Sequence, residues 1–145
     1  MGNGNGPAGE IVVGVDGSAA SLAALEWGAH QAELTGSALH AVTVWAWPTT
    51  YGYPVPVATG FDPAAEAAKV LDDAVAGIRR AHPSVDLRTS VLEGATAKLL
   101  VEASKGAELL VVGSRGHGEL AGMLLWSVSE HCAAHAHCPV LVVRH

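Results

Sequence analysis

Short β-branched runs alternate with longer stretches of helical periodicity along this chain, and few folds accommodate that rhythm. "EIVVGVD", residues 10–16, carries no polar alternation and suits a strand buried on both faces. Ser18 is placed to cap a helix, Ala19, Leu22, Leu25, Ala29 and Ala32 recur at helical spacing, and Gly36 stops the run. "ALHAVTVWAW", 38–47, reads as a second strand. Residues 48–62, with three prolines and no period, read as a loop. From Pro63 a second helix shows a stripe at Ala64, Ala68, Leu71, Val75 and Ile78. A third strand follows at 85–94 and a third helix at 95–106. "AELLVVGS" then forms a fourth strand, a last helix of roughly ten residues comes next, and "PVLVVRH" makes a fifth strand. This βαβαβαβαβ order predicts a single α/β domain over 10–145, after a flexible tail at 1–9. Its architecture is a Rossmann-like, doubly wound parallel sheet of five strands with helices on both faces.

The chain's 145 residues make one ordinary domain, and half of them are apolar, enough for a packed core. Net charge is −6, with 14 acidic residues against 8 Lys and Arg, which argues against nucleic acid or an anionic membrane as partner. Two cysteines make no disulfide framework. "MGNGNGPAGE" has no signal-peptide core and lacks the Ser or Thr of a myristoylation signal. No stretch has the apolar length of a membrane span. These features predict a soluble, cytoplasmic protein.

In an open doubly wound sheet, ligands settle at the carboxyl ends of the strands where the winding reverses. If the first and fourth strands are neighbours, Asp16 and Gly113 face each other there, and "GSRGHG", 113–118, ends the fourth strand at the favoured position. No Walker pattern is present. "GHGELA", 116–121, matches a dinucleotide fingerprint but follows the wrong strand and lacks the acid about 20 residues on.

"IVVGVDGS", "ELLVVGSRGHG" and "SVSEHCAAHAHCPVLVVR" occur in the right order to resemble the universal stress protein family over nearly the whole chain. "GSRG", nine residues and Trp126-Ser127 are similar to its ATP-binding subgroup's motif, G-x-x-G, nine residues, G-[ST]. The resemblance implies strand order 3-2-1-4-5 and an adenine-nucleotide cleft. Asp16 and Val44 would lie near adenine. Gly113, Arg115 and Gly116 would line ribose and phosphates, and Ser127 and Val128 the phosphate end. It also implies a homodimer through the C-terminal strand, whose apolar edge suits self-pairing. The physics of the loop agrees, since successive N–H groups in a Gly-rich turn form an anion nest.

Trp126 stands where the motif has its third glycine. An indole pointing into that space excludes phosphate oxygens from the backbone. Losing two charge-assisted hydrogen bonds of roughly 1.5–3 kcal/mol each weakens binding about 10²- to 10⁴-fold. The expectation is therefore a stress-response protein whose ATP affinity is weak or absent. A second arrangement stays open: "SVSE", 127–130, is a capping box, so Trp126 can staple against His131 and turn out of the cleft. A member with slow ATP hydrolysis and a ligand-independent interaction module are the alternative functions.

"HCAAHAHC" concentrates three histidines and both cysteines. On a helix, His131, Cys132 and His135 share a face with Val128, the face expected to pack on the sheet, so a buried free thiol is expected and no metal site. Arg115 reads equally as a phosphate clamp or a solvated loop residue. Trp45 and Trp47 can frame a ligand or serve packing.

Overall fold

The computed structural model of the chain describes residues 9–47, 49–50, 52–56, 59–114 and 128–144. Five strands form one parallel sheet: β1 (Glu10–Gly14), β2 (Ala38–Trp45), β5 (Leu87–Glu93), β6 (Leu109–Gly113) and β7 (Val140–Val143). A small antiparallel hairpin, β3 (Thr49–Thr50) and β4 (Tyr53–Pro54), interrupts the chain where a plain loop was expected. The sheet order is β5-β2-β1-β6-β7. Once the hairpin is set aside, that is 3-2-1-4-5 in chain order.

The central strands β1 and β6 are apolar on both faces, whereas the edge strand β5 carries Arg88, Thr89, Ser90 and Glu93. Ile11 and Val13 of β1 join the core under α1 (Ala19–Thr35) and α2 (Pro63–Ala81). Val12 joins a second core with Leu100 of α3 (Thr96–Ala103) and Cys132 of a last helix, α4, described over 128–135. The winding reverses between β1 and β6, which are adjacent and in register from Ile11↔Leu109 to Val13↔Val111.

Helix ends follow local chemistry. Ser18 Oγ accepts from Ser21 N–H at 3.1 Å, and Gly36 closes α1 in the left-handed region at φ 75°. Asp62 Oδ1 caps α2 by accepting from Ala65 N–H at 3.1 Å, with Pro63 in the first turn. Leu71, Val75 and Ile78 bury α2's inner face, each contributing about 1.5–3 kcal/mol.

Each helix buries three of its five expected face residues, Leu25, Ala29 and Ala32 on α1 and Leu71, Val75 and Ile78 on α2, and departs at the other two. On α1, Leu22 and Ala19 point to solvent, and the packed face is Ala20, Ala24, Leu25, Gly28, Ala29 and Ala32. Gly28 shows why: a Cβ there would sit 2.7 Å from Val13 Cγ2, so α1 approaches the sheet closely on Gly28 and its alanines, with Leu25 packed beside them. On α2, Ala67 is buried while Ala64 and Ala68 stay half-exposed, a difference confined to the first turns, since Leu71, Val75 and Ile78 are buried as expected. Strand ends are also trimmed: the second strand stops at Trp45, and the third runs only from Leu87 to Glu93.

Candidate functional site

A cleft of about 170 Å³ opens at the carboxyl ends of β1 and β6, at the reversal of winding. Pockets for whole drug-sized ligands run about 300–1,000 Å³, so the described walls hold one ring system rather than an extended molecule. Val15, Val42, Val44, Leu100, Val112 and Val128 supply apolar sides. The polar side chains among the described walls are Asp16, Ser21 and Thr96.

Asp16 is held from several directions. Its Oδ1 accepts from Ser18 N–H at 2.9 Å, and its own N–H donates to Ser21 Oγ at 3.2 Å. Ser21 Oγ in turn donates to the Ser18 carbonyl at 3.1 Å. Behind them Thr43 Oγ1 donates to the Val15 carbonyl at 2.9 Å. The turn after β1 therefore presents a fixed carboxylate, an acceptor that calls for an N–H or O–H on whatever enters.

Gly113 ends β6 in the opposite wall. A Cβ there would meet the Ala20 backbone carbon and Cβ at 2.8 Å and the Ala20 carbonyl oxygen at 2.9 Å. The start of α1 thus packs directly on this glycine, a reason for its identity that does not involve a ligand. The sequence offered no sign of it, because Ala20 is remote along the chain.

Of the residues singled out from the sequence, Asp16, Val44, Gly113 and Val128 share this cleft. Arg115, Gly116, Trp126 and Ser127 lie outside the described residues. Sequence reasoning missed Ser21, Thr96 and Leu100. Thr96 had a legible signal, since it opens the helix directly after the carboxyl end of a strand, the rule already applied to the first and fourth strands.

Trp45 and Trp47 pack edge to face, with ring centroids 5.7 Å apart. In α4 only part of the expected face is buried: Cys132 is enclosed, but His131 and His135 are exposed and pack ring against ring at 4.5 Å. They lie at the rim of the stripe, where imidazoles keep their hydration. Burial pushes the Cys132 thiol up to about 11, and it raises that of the half-buried Cys138. Neither is poised as a nucleophile at neutral pH. Among the described residues, no group of three or more His, Cys, Asp or Glu is arranged to hold a metal ion, and no helix is long and apolar enough to cross a membrane.

The model of the Universal stress protein family matches residues 8–144. The chain belongs to the universal stress protein family. Universal stress protein Rv2624c of Mycobacterium tuberculosis (strain ATCC 25618 / H37Rv) is 37% identical over 134 residues, covering 92% of this chain and 47% of that protein. Universal stress protein Rv2623 of the same strain is 38% identical over 137 residues, covering 92% and 44%. The chain therefore spans about half the length of these curated relatives. Among solved structures, a universal stress protein in complex with cAMP is 28% identical with a TM-score of 0.69, covering 95% of this chain and 98% of that one. UspA from Lactobacillus plantarum, 22% identical over 97% of this chain and 100% of its own, shares the fold with a TM-score of 0.71.

Proposed function

We propose that this universal stress protein takes an adenine nucleotide at the reversal of its sheet, with the base between Val44, Val15 and Asp16 and the phosphates toward 113–128. The observation that carries this reading is the convergence of Asp16, Val44, Gly113 and Val128 on one ring-sized cleft. The similar universal stress protein in complex with cAMP supports the ligand class. An acceptor carboxylate suits an amino or hydroxyl hydrogen of a nucleoside, and valines suit the faces of a purine.

In this reading Trp126 narrows the phosphate end, so ATP binds weakly and ligands with fewer phosphates bind better. Arg115, Gly116, Ser127 and Val128 complete that end. The protein then acts as a cytoplasmic regulator in a stress response, as a homodimer through β7, rather than as an efficient ATPase. The β7 edge supports self-pairing, since Leu141 is exposed on it.

Denaturing freshly purified protein and chromatographing the supernatant tests the ligand class. Released adenine nucleotide, or saturable binding of AMP or cAMP to the emptied protein, is the expected result. No release, with no binding of adenosine, AMP, cAMP or ATP up to millimolar concentration, would overturn the reading and leave a ligand-independent interaction module.

A further inference from the structure

His82 follows the last turn of α2, and its backbone N–H closes that helix on the Ile78 carbonyl at 2.8 Å. Its ring is only 11% exposed and lies against the outer face of α1. Both nitrogens meet carboxylates of that helix: Nε2 bonds Glu26 Oε2, and Nδ1 lies 2.9 Å from Glu33 Oε2. A neutral imidazole has one N–H and one lone pair, so it satisfies one carboxylate and turns a lone pair on the other. Only the doubly protonated ring can face both. The Nδ1 contact is close but out of line for a hydrogen bond, which makes it an ion pair that depends on charge.

We propose that His82 is a protonation-dependent pin, an imidazolium held between Glu26 and Glu33 that ties the end of α2 to α1 and releases that tie when it loses its proton. The surroundings favour the cation. On α1 the facing charges are Glu26 and Glu33, and the titratable His30 lies on the same helix face one turn from each. On α2, Arg79 and Arg80 are exposed in the last turn, where the helix dipole is negative. In the turn toward β5, Asp86 is engaged by Arg88 at 2.9 Å. The hydrogen bond to Glu26, then the contact with Glu33, raise the pKa of His82 above its ordinary 6.5 against the opposing effect of burial.

A raised folded-state pKa gives stability that is fully present below the unfolded value of about 6.5 and is lost as pH rises through the folded value. The pin joins the end of α2 to the later half of α1, two helices that bury Leu25, Ala29, Leu71, Val75 and Ile78 in one shared core. Its release therefore loosens how two helices pack together, independently of any nucleotide.

The test follows the His82 ring by NMR in the whole protein from about pH 5.5 to 9, beside urea denaturation of wild type and His82→Gln over the same range. The expected His82 pKa lies above 6.5, and each unit of elevation appears as a tenfold fall in the wild-type folded-to-unfolded ratio that His82→Gln lacks. If His82→Gln does not fold, Glu26→Gln and Glu33→Gln change only partly exposed side chains, and each should lower the His82 pKa. A wild-type value at or below 6.5, an unchanged value in both glutamine variants, or equal pH slopes in wild type and His82→Gln would each overturn the proposal.

Discussion

Replacing Gly113 by alanine adds one methyl group at the point where the cleft wall meets α1. The new Cβ would lie 2.8 Å from the backbone carbon and Cβ of Ala20, and 2.9 Å from its oxygen. Unstrained carbon–carbon contacts sit at about 3.5–4.0 Å, so β6 and the start of α1 must separate by about 0.7–1.2 Å. Backbone atoms cannot swing aside as a side chain can. Overpacking of this kind costs about 1–3 kcal/mol. At about 3 °C per kcal/mol for a domain near this size, the Tm should fall by about 3–9 °C. Gly113 is a strand residue without positive φ, so backbone strain adds nothing. Calorimetry and urea denaturation read the effect, with Ala20→Gly in the same background restoring only part of it, because the clash with the Ala20 carbonyl remains. A Gly113→Ala protein with wild-type Tm but lost nucleotide binding would refute the packing argument and assign the glycine to the ligand alone.

The other consequences are simpler to read. Asp16→Asn keeps an oxygen for Ser18 N–H but removes the charge, so nucleoside affinity should fall about tenfold by calorimetric titration with little change in Tm; unaltered affinity would remove Asp16 from the site. Ser18→Ala deletes the cap on Ser21 N–H and should cost about 0.5–2 kcal/mol in urea denaturation. With its pKa near 11, Cys132 should be about 0.1% thiolate at pH 8 and resist alkylation until the protein unfolds, as mass spectrometry of the peptide would show.

The alternation of strands and helices was legible because strands buried on both faces must be continuously apolar, as β1 and β6 are. The caps Ser18 and Gly36 were equally plain, since their chemistry is local. The inner face of α1 was legible only in part, at Leu25, Ala29 and Ala32. Leu22 looked like a core residue by size, whereas close packing on the sheet selected Gly28 and a row of alanines. His131 and His135 shared the spacing of Val128 and Cys132, yet the sheet covers only the middle of that stripe. At the cleft, the carboxyl-end rule and the family resemblance picked out Asp16, Val44, Gly113 and Val128. Leu100 was missed because it enters from a crossover helix, whose approach depends on tertiary packing, whereas Thr96 carried the carboxyl-end signal and was passed over. The contacts of Gly113 with Ala20 and of His82 with Glu26 and Glu33 join residues far apart in sequence, and no local pattern announces them.

The central proposal is a nucleotide cleft whose phosphate end is closed by an indole. Titrating ATP into emptied wild-type protein and into Trp126→Gly under identical salt and pH tests it most directly. The expected result is weak or undetectable binding to wild type and about 10²- to 10⁴-fold tighter binding to the variant. Low-micromolar ATP affinity in wild type, unchanged by the substitution, would contradict it.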